Sequence, residues 1–292
     1  MLQKQKNRFY LMLMLPGCIF LLLVIVAPII STFGMSLTSY NFMKPQAKTW
    51  IGFKNYVDIF KDPFFWETAW HTLIYVVSAV SFEFALGTLL ALFFFKLNKE
   101  NSVLMSFFIL PSVISPIVVG LIFRYMLNTE FGFYTYIFNK LGLFKDIALL
   151  GNSATALPSI IVADIWQWTP FMTLMIISGL LALPSEPYEA ARVDGANGAT
   201  IFFRITLPLL IPVVRVSLML RIADAIKEFD KIFVMTDGGP GTATETLNYY
   251  SYRVNFRYFT MGKGSALVTI ILVFIIIISV IMIKMMKSVN ER

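Results

Sequence analysis

The sequence is poor in the residues on which most enzymes and disulfide-bonded proteins depend. Its 292 residues include one cysteine, Cys18, and one histidine, His71. A single cysteine excludes an internal disulfide and a cysteine-based metal site, and a lone histidine is more often a structural residue than a metal ligand. No Ser–His–Asp or Cys–His set can be assembled in the apolar context described next, so the sequence does not predict an enzyme.

Charged residues are also scarce, at 14% of the chain, whereas soluble domains average about 25%. Hydrophobic residues make up 58% of the sequence, and the mean hydropathy is +0.74. This composition predicts a polytopic membrane protein. The formal charge of +7 fits the lysines and arginines that set membrane topology, and does not by itself indicate nucleic-acid binding.

Six apolar stretches are each long enough to cross a hydrocarbon core of about 30 Å as a helix. Helices are expected because a lipid-exposed segment must satisfy its own backbone hydrogen bonds. The predicted fold is an all-α membrane protein with six transmembrane helices in a single domain over residues 1–292. The predicted spans are residues 9–35, 73–95, 103–127, 156–183, 207–235 and 265–286.

Basic residues flank the first and last spans, and such residues favour the cytoplasmic side of a membrane. They are Lys4, Lys6 and Arg8 at one end, and Lys284, Lys287 and Arg292 at the other. We therefore expect both termini in the cytoplasm, on the same side as the loops at 96–102 and 184–206. The loops expected on the outer side are 36–72, 128–155 and 236–264.

The loop before the fifth span reads LPSEPYEAARVDGANGATIFFRITLP at 183–208 and is polar, yet it does not have the composition of a flexible linker. A short helix is expected to begin after Ser185, because proline is accepted in the first helical turn. Gly195 should end that helix, since glycine readily adopts the left-handed cap conformation. Asn197 can cap a second short helix that ends near Ile205. The sequence thus predicts two short helices around a tight turn.

The same loop carries a seven-position pattern that matches the EAA signature of binding-protein-dependent ABC importer permeases. The matching residues are Glu189, Ala190, Ala191, Gly195, Ile205, Leu207 and Pro208. The chain therefore resembles that family, which implies the permease fold of the maltose and methionine importers, with this loop as a coupling helix docked on a cytoplasmic ATPase subunit. The residues implied to contact the ATPase are Glu189, Ala190, Ala191, Arg192, Asp194, Gly195 and Ala196.

The sequence has no complete phosphate-binding loop of its own. Gly262-Lys263 needs a glycine five positions earlier, where Arg257 stands. ATP and Mg are therefore expected on separate ATPase subunits, with no cofactor or metal in this chain. The resemblance also implies a second permease subunit, two ATP-binding subunits and an extracytoplasmic solute-binding protein, assembled at the plasma membrane.

Four further segments resemble the carbohydrate branch of these permeases, the group that contains the larger maltose permease subunit. With the loop, they extend the resemblance over most of the chain from residue 10 onward, and they imply a sugar or oligosaccharide as substrate. The segments are IGFKNYVDIFKDPFFW at 51–66, ILPSVISPIVVGLIFRYMLN at 109–128, IWQWTPFMTLM at 165–175 and EFDKIFVMTDGGPGTATETL at 228–247.

Two of the predicted spans place polar residues beside aromatic or small ones on one helix face. A charge at mid-bilayer costs about 2.5–3.5 kcal/mol on insertion scales, so it usually faces a cavity or a partner. Polar groups beside rings suit a sugar, and these positions align with sugar-contacting positions of the maltose permease subunit. The predicted substrate-binding residues are Asp164, Gln167, Trp168 and Phe171 in the fourth span, and Arg221, Asp224, Ala225 and Glu228 in the fifth.

Structural ion pairs are the alternative to a substrate role for these charges. The candidate pairs are Arg221 with Asp224 or Glu228, and Lys227 with Asp230. Glu83 in the second span is equally a packing residue or part of a gate. Arg221 and Lys227 also make an acidic sugar, such as a uronate oligomer, an alternative substrate.

Two other kinds of transporter remain open from the sequence. A glycerol-phosphate or polyol importer uses the same permease branch. An ion-coupled secondary transporter would need no ATPase and would make the spacing in the loop a coincidence. Co-purification with an ATP-hydrolysing subunit separates these two classes.

Overall fold

The computed structural model describes residues 2–96, 102–143 and 147–290. Within these ranges all regular secondary structure is helical, apart from one isolated bridge between Thr38 and Trp50. The all-α prediction is therefore confirmed. Most of the predicted loop at 96–102 lies outside the described residues, and so does the basic residue Arg292.

The helices of the described residues are numbered here in chain order. They are α1 (Leu2–Leu21), α2 (Ala27–Ser36), α3 (Lys54–Lys61), α4 (Pro63–Lys96), α5 (Ser102–Val113), α6 (Pro116–Met126), α7 (Phe133–Lys140), α8 (Ala156–Leu181), α9 (Glu186–Val193), α10 (Gly198–Ile201), α11 (Leu207–Ile226), α12 (Asp230–Met235), α13 (Leu247–Tyr252) and α14 (Met261–Asn290). Three short π-helical turns lie between or after these helices. One joins α1 to α2 (Leu22–Val26), one joins α10 to α11 (Phe202–Thr206), and one extends α13 (Arg253–Arg257).

Five of these helical stretches are long and apolar enough to cross a membrane, and a bent pair makes a sixth. The five stretches are Leu13–Ser36, Pro63–Lys96, Ala156–Leu181, Gly198–Ile226 and Met261–Lys284. The second begins ten residues earlier than predicted, because Pro63 can start a helix that then runs on without interruption.

The third predicted span, 103–127, is not one straight helix. It consists of α5 and α6, which meet at an angle of 97°. Pro116 at the start of α6 favours the bend, since proline disfavours the helical region for the residue before it. Ser115 accordingly has an extended backbone, with φ −57° and ψ 136°.

The fifth predicted span, 207–235, ends as a helix at Ile226, and the separate helix α12 begins at Asp230. The Glu228 carboxylate accepts a hydrogen bond from the backbone N–H of Lys231 at 2.9 Å. This contact satisfies an amide in the first turn of α12, so the polar residues between the two helices favour a break over a continuous helix.

The chain, predicted as a single domain, divides into two compact units. The first comprises Met1–Trp66 and Tyr250–Val273. In it, the Asp62 carboxylate accepts hydrogen bonds from the Tyr250 hydroxyl and the Lys263 ammonium, each at 3.2 Å. These contacts join the start of α4 to α13 and α14.

The second unit comprises Glu67–Tyr249 and Phe274–Arg292. Glycines let its long helices approach closely. A Cβ at Gly87 of α4 would lie 2.7 Å from the Cβ of Met172 in α8, and one at Gly179 would lie 2.9 Å from Leu210 in α11. Small residues at crossings are typical of membrane helices. The helices α4, α8 and α11 therefore each turn one face toward a common centre.

Candidate functional site

The centre of the second unit holds a group of charged side chains that are almost fully buried. Glu83 and Asp164 are 0% exposed, Arg221 is 1% exposed and Lys231 is 0% exposed. Such groups are stable in an apolar interior only when they are paired and hydrogen-bonded. Their partners therefore decide what the site can do.

Arg221 of α11 pairs with carboxylates from two other helices. Its Nε and Nη2 donate to the two oxygens of Glu83 at 2.7 and 2.9 Å, and Nη2 also bonds to Asp164 of α8. A bidentate pair of this kind is both strong and geometrically specific. Glu83, Asp164 and Arg221 therefore tie α4, α8 and α11 together.

Lys231 of α12 completes the network. Its Nζ lies 3.0 Å from Asp164 Oδ1 and 2.8 Å from Glu228 Oε2, and it donates to Gln167 Oε1 at 2.9 Å. The sequence interpretation missed Lys231 altogether. A lysine inside the apolar run that follows the α11–α12 break is the signal that could have identified it.

The structure pairs the charges differently from the sequence-based alternative. Arg221 is bonded to Glu83 and Asp164, not to Asp224 or Glu228. Lys227 is bonded to Asp224 at 2.9 Å, and both side chains are more than half exposed. Sequence spacing favours partners on the same helix, whereas the real partners of Arg221 come from distant parts of the chain.

The eight predicted substrate-binding residues divide into buried and accessible groups. The buried ones are Asp164, Gln167, Arg221 and Ala225, each at most 1% exposed. The half-buried or exposed ones are Trp168, Phe171, Asp224 and Glu228.

The accessible aromatic residues lie directly against the network. The Trp168 ring makes an edge contact with Phe171 at 5.9 Å, and the Arg221 guanidinium stacks on Trp168 at 5.1 Å. Two partly exposed rings on one helix face can offer stacking to a ligand.

The predicted coupling loop folds as a helix, a glycine turn and a return to the next span. The helix α9 ends at Val193, and Gly195 has a φ of +74°. The Ala196 N–H donates to Ala191 O at 2.9 Å and that of Gly195 to Arg192 O at 3.1 Å, as expected where glycine ends a helix. Asn197 caps α10 by accepting from the Thr200 N–H at 2.8 Å.

The second short helix of the loop does not end near Ile205 as predicted. The helix continues from Gly198 to Ile226. A π-helical turn at Phe202–Thr206 precedes Pro208, which lies in the first turn of α11. A wider turn accommodates the missing N–H and the bulk of a proline ring without a break.

Most of the predicted ATPase-contact residues are exposed on this loop. Glu189, Ala190, Arg192, Asp194 and Gly195 are exposed, Ala196 is half-buried and Ala191 is buried. The side chain of Val193, which the sequence interpretation did not include, is 88% exposed. An isolated apolar side chain at the tip of a charged loop is a candidate anchor for another protein.

The segment at 228–247 also folds tightly around Gly238, Gly239 and Pro240. A Cβ at Gly238, whose φ is +86°, would lie 2.6 Å from the Tyr249 ring. The Tyr249 hydroxyl donates to the backbone oxygen of Asp237 at 2.7 Å. Among the described residues, no group of three or more His, Cys, Asp or Glu side chains is arranged to hold a metal ion.

Comparison with known proteins gives consistent matches. A family model described as "Binding-protein-dependent transport system inner membrane component" matches residues 83–292. The probable ABC transporter permease protein y4oQ of Sinorhizobium fredii is 38% identical and aligns with 91% of this chain and 85% of its own. The trehalose/maltose transport system permease protein MalF of Thermococcus litoralis is 36% identical, covering 92% and 90%. The arabinooligosaccharides transport system permease protein AraP of Bacillus subtilis is 32% identical, covering 94% and 87%.

A chain in the crystal structure of a bacterial alginate ABC transporter, in complex with an alginate pentasaccharide-bound periplasmic protein, has a similar fold. Its TM-score is 0.83 at 23% sequence identity, and the match covers 98% of this chain and 96% of that one. A chain of the MetNI methionine ABC transporter in an inward-facing conformation is more distant, with a TM-score of 0.55.

Proposed function

Because the chain belongs to the family of inner membrane components of binding-protein-dependent transport systems, we propose that it is the permease subunit of an ABC importer that carries a sugar or oligosaccharide. Family membership places it among the membrane components of transporters, not among enzymes. The observation that carries the proposal is the exposed coupling loop. Glu189, Ala190 and Ala191 of the signature lie on α9, which ends at Val193 and is followed by the turn at Gly195.

Two observations support a sugar as the substrate. Relatives that align over most of this chain are named for trehalose/maltose and for arabinooligosaccharides. In the structure, Trp168 and Phe171 contact each other on α8, and Asp224 of α11 is exposed. This combination offers ring faces to the C–H surfaces of a sugar and acceptors to its hydroxyls.

The charges of the site favour a neutral sugar over an acidic one. Arg221 is buried and bonded to two carboxylates, and Lys227 is paired with Asp224. Neither cation therefore offers the uncompensated positive charge that a uronate would require.

We further infer the assembly that the coupling loop requires. The loop is on the cytoplasmic side, where each of two ATPase subunits binds ATP and Mg and docks on one permease subunit. An even number of crossings, with α5 and α6 counted as one, supports the inference that both termini lie on the same side as the coupling loop, which is the cytoplasmic side in this proposal. A second permease subunit completes the pathway, and an extracytoplasmic binding protein delivers the sugar at the plasma membrane.

Reconstitution of the complete transporter in proteoliposomes tests this proposal. The chain is co-expressed with its ATPase and partner permease subunits, and uptake of neutral oligosaccharides, uronate oligosaccharides, a polyol and glycerol phosphate is measured with the binding protein present. We expect ATP-dependent uptake of a neutral sugar. Uptake that follows an ion gradient without ATP indicates a secondary transporter, and preferential uptake of a polyol or glycerol phosphate indicates the alternative substrate class.

A further inference from the structure

Gln167 lies between two breaks in membrane helices and contacts both. Its Nε2 donates to the backbone oxygen of Ile114 at 2.9 Å, at the 97° bend between α5 and α6. Its Oε1 accepts from Lys231 Nζ at 2.9 Å, in the first turn of α12 after the α11–α12 break. Gln167 itself is 1% exposed on α8, an unbroken helix.

The bend leaves the Ile114 carbonyl in need of a donor. The helical ladder of α6 begins with the bond from the Val119 N–H to Ser115 O at 3.1 Å, one residue beyond Ile114. A backbone carbonyl without a partner in an apolar interior costs free energy comparable to a lost hydrogen bond. The Gln167 amide supplies the missing donor.

The helices that follow the two breaks pack against each other. A Cβ at Gly120 of α6 would lie 3.3 Å from the Val234 Cβ and 3.4 Å from the Lys231 Cα of α12. The close approach makes α6 and α12 a pair. Through its two hydrogen bonds, Gln167 connects this pair to α8.

A neutral amide can make both contacts, because it carries a donor and an acceptor. The carbonyl of Ile114 needs a donor and the ammonium of Lys231 needs an acceptor, so the orientation of the amide group is determined by its neighbours. A carboxylate at this position keeps the bond to Lys231, but it has no hydrogen to donate to the Ile114 carbonyl. A thioether or aliphatic side chain makes neither bond.

We propose that Gln167 is a positioning residue, not a sugar ligand, and that it makes the two helix breaks act as one hinge. In this role it holds the α6–α12 pair in register with α8 while the permease changes between inward- and outward-facing states. The inference rests on the proposed transport function. It moves Gln167 from the predicted substrate-binding set to the machinery that transmits movement.

Three variants of the reconstituted transporter test the inference. Gln167→Met removes both hydrogen bonds, Gln167→Glu keeps only the bond to Lys231, and Thr173→Val is the matched control. Thr173 is also fully buried on α8, but its hydroxyl bonds within the helix, to Thr169 O at 2.9 Å. Sugar uptake, its KM, and the number of sugars transported per ATP hydrolysed are measured for each.

For Gln167→Met we expect sugars transported per ATP to fall about tenfold, within the usual range of coupling free energies, while the KM changes less than about twofold. Gln167→Glu should fall between Gln167→Met and the wild type, and Thr173→Val should match the wild type. A tenfold rise in KM with unchanged coupling overturns the inference and restores Gln167 as a ligand. Equal loss in the Thr173→Val control also overturns it.

Distance measurements provide a readout that does not depend on activity. With Cys18→Ser as the background, spin labels are placed on α8 at Val162 and on α6 at Leu121, which are both exposed. We expect Gln167→Met and, to a smaller extent, Gln167→Glu to broaden the distribution of distances between these labels. Unchanged distance distributions in both variants contradict the inference about Gln167. If the wild-type transporter shows no ATP-coupled sugar uptake, the proposed function is contradicted instead.

Discussion

At the scale of single residues, the main finding is that Arg221 is a structural centre. It is 1% exposed and bonded to Glu83 and Asp164 from two other helices. Breaking such a pair by removing one partner leaves an uncompensated buried charge, whereas replacing the whole group by apolar residues is often tolerated.

We therefore expect Arg221→Met to lower the free energy of unfolding by about 3–5 kcal/mol, the range seen when one partner of a buried pair is removed. Thermal unfolding of the purified protein in detergent measures the loss. The triple variant Arg221→Met/Glu83→Gln/Asp164→Asn should recover part of it. The control is Lys227→Met in the exposed pair with Asp224, where a change below about 1 kcal/mol is expected. If Arg221→Met and Lys227→Met lower the free energy of unfolding equally, Arg221 is not the structural centre described here.

Gly195 gives a second prediction at the residue scale. Its φ of +74° disfavours other residues, yet a side chain there meets no atom within 4 Å. Gly195→Leu should therefore leave membrane insertion intact while ATP hydrolysis no longer drives transport, because the turn that is proposed to contact the ATPase is distorted and enlarged. Gly198→Leu is the control, since Gly198 also faces open space but without a positive φ. Normal uptake by Gly195→Leu contradicts a coupling role for the loop.

At the scale of helices, Pro116 stands at one of the two helix breaks, and glycines stand at the close helix crossings. Pro116 separates α5 from α6, whereas Pro170 lies inside α8 without interrupting it. The difference is that the residue before Pro116 adopts an extended backbone, while α8 continues through Pro170, as membrane helices can when neighbours satisfy the freed carbonyl.

The close crossing of α4 and α8 gives a prediction at this scale. A Cβ at Gly87 would lie 2.7 Å from Met172 Cβ and 3.2 Å from the backbone nitrogen of Thr173. Gly87→Val should therefore force the helices apart, disturb the Glu83–Arg221 pair one turn away and lower the unfolding temperature. Gly34→Val is the control, because a Cβ at Gly34 meets nothing within 4 Å. An unfolding temperature equal to that of the control rules out the crossing described here.

At the scale of the whole molecule, the chain presents a largely apolar exterior, a buried ionic centre and a polar loop. The apolar exterior fits the lipid that surrounds an inner membrane component. The loop offers charged and small residues around Val193, whose side chain is 88% exposed. In the proposed assembly it is the surface that receives force from the ATPase.

Val193 gives the corresponding prediction. Val193→Asp places a charge where we expect an apolar contact, so co-purification of the ATPase subunit should fall at least about tenfold. Membrane insertion should not change, because the side chain contacts solvent in the isolated chain. Met43→Asp is the control, since Met43 is also exposed, at 68%, but lies in the loop at 36–72, which is expected on the outer side of the membrane. Retention of the ATPase by Val193→Asp contradicts the anchor role.

The sequence by itself determined the helical membrane fold and the coupling loop, because both depend on local patterns. Apolar runs specify spans, and Gly195 and Asn197 specify the turn through their own backbone preferences. Only the tertiary structure decided the partners of the buried charges and the two contacts of Gln167. Glu83 and Arg221 are 138 residues apart, and no local rule pairs groups that meet only after the helices have packed.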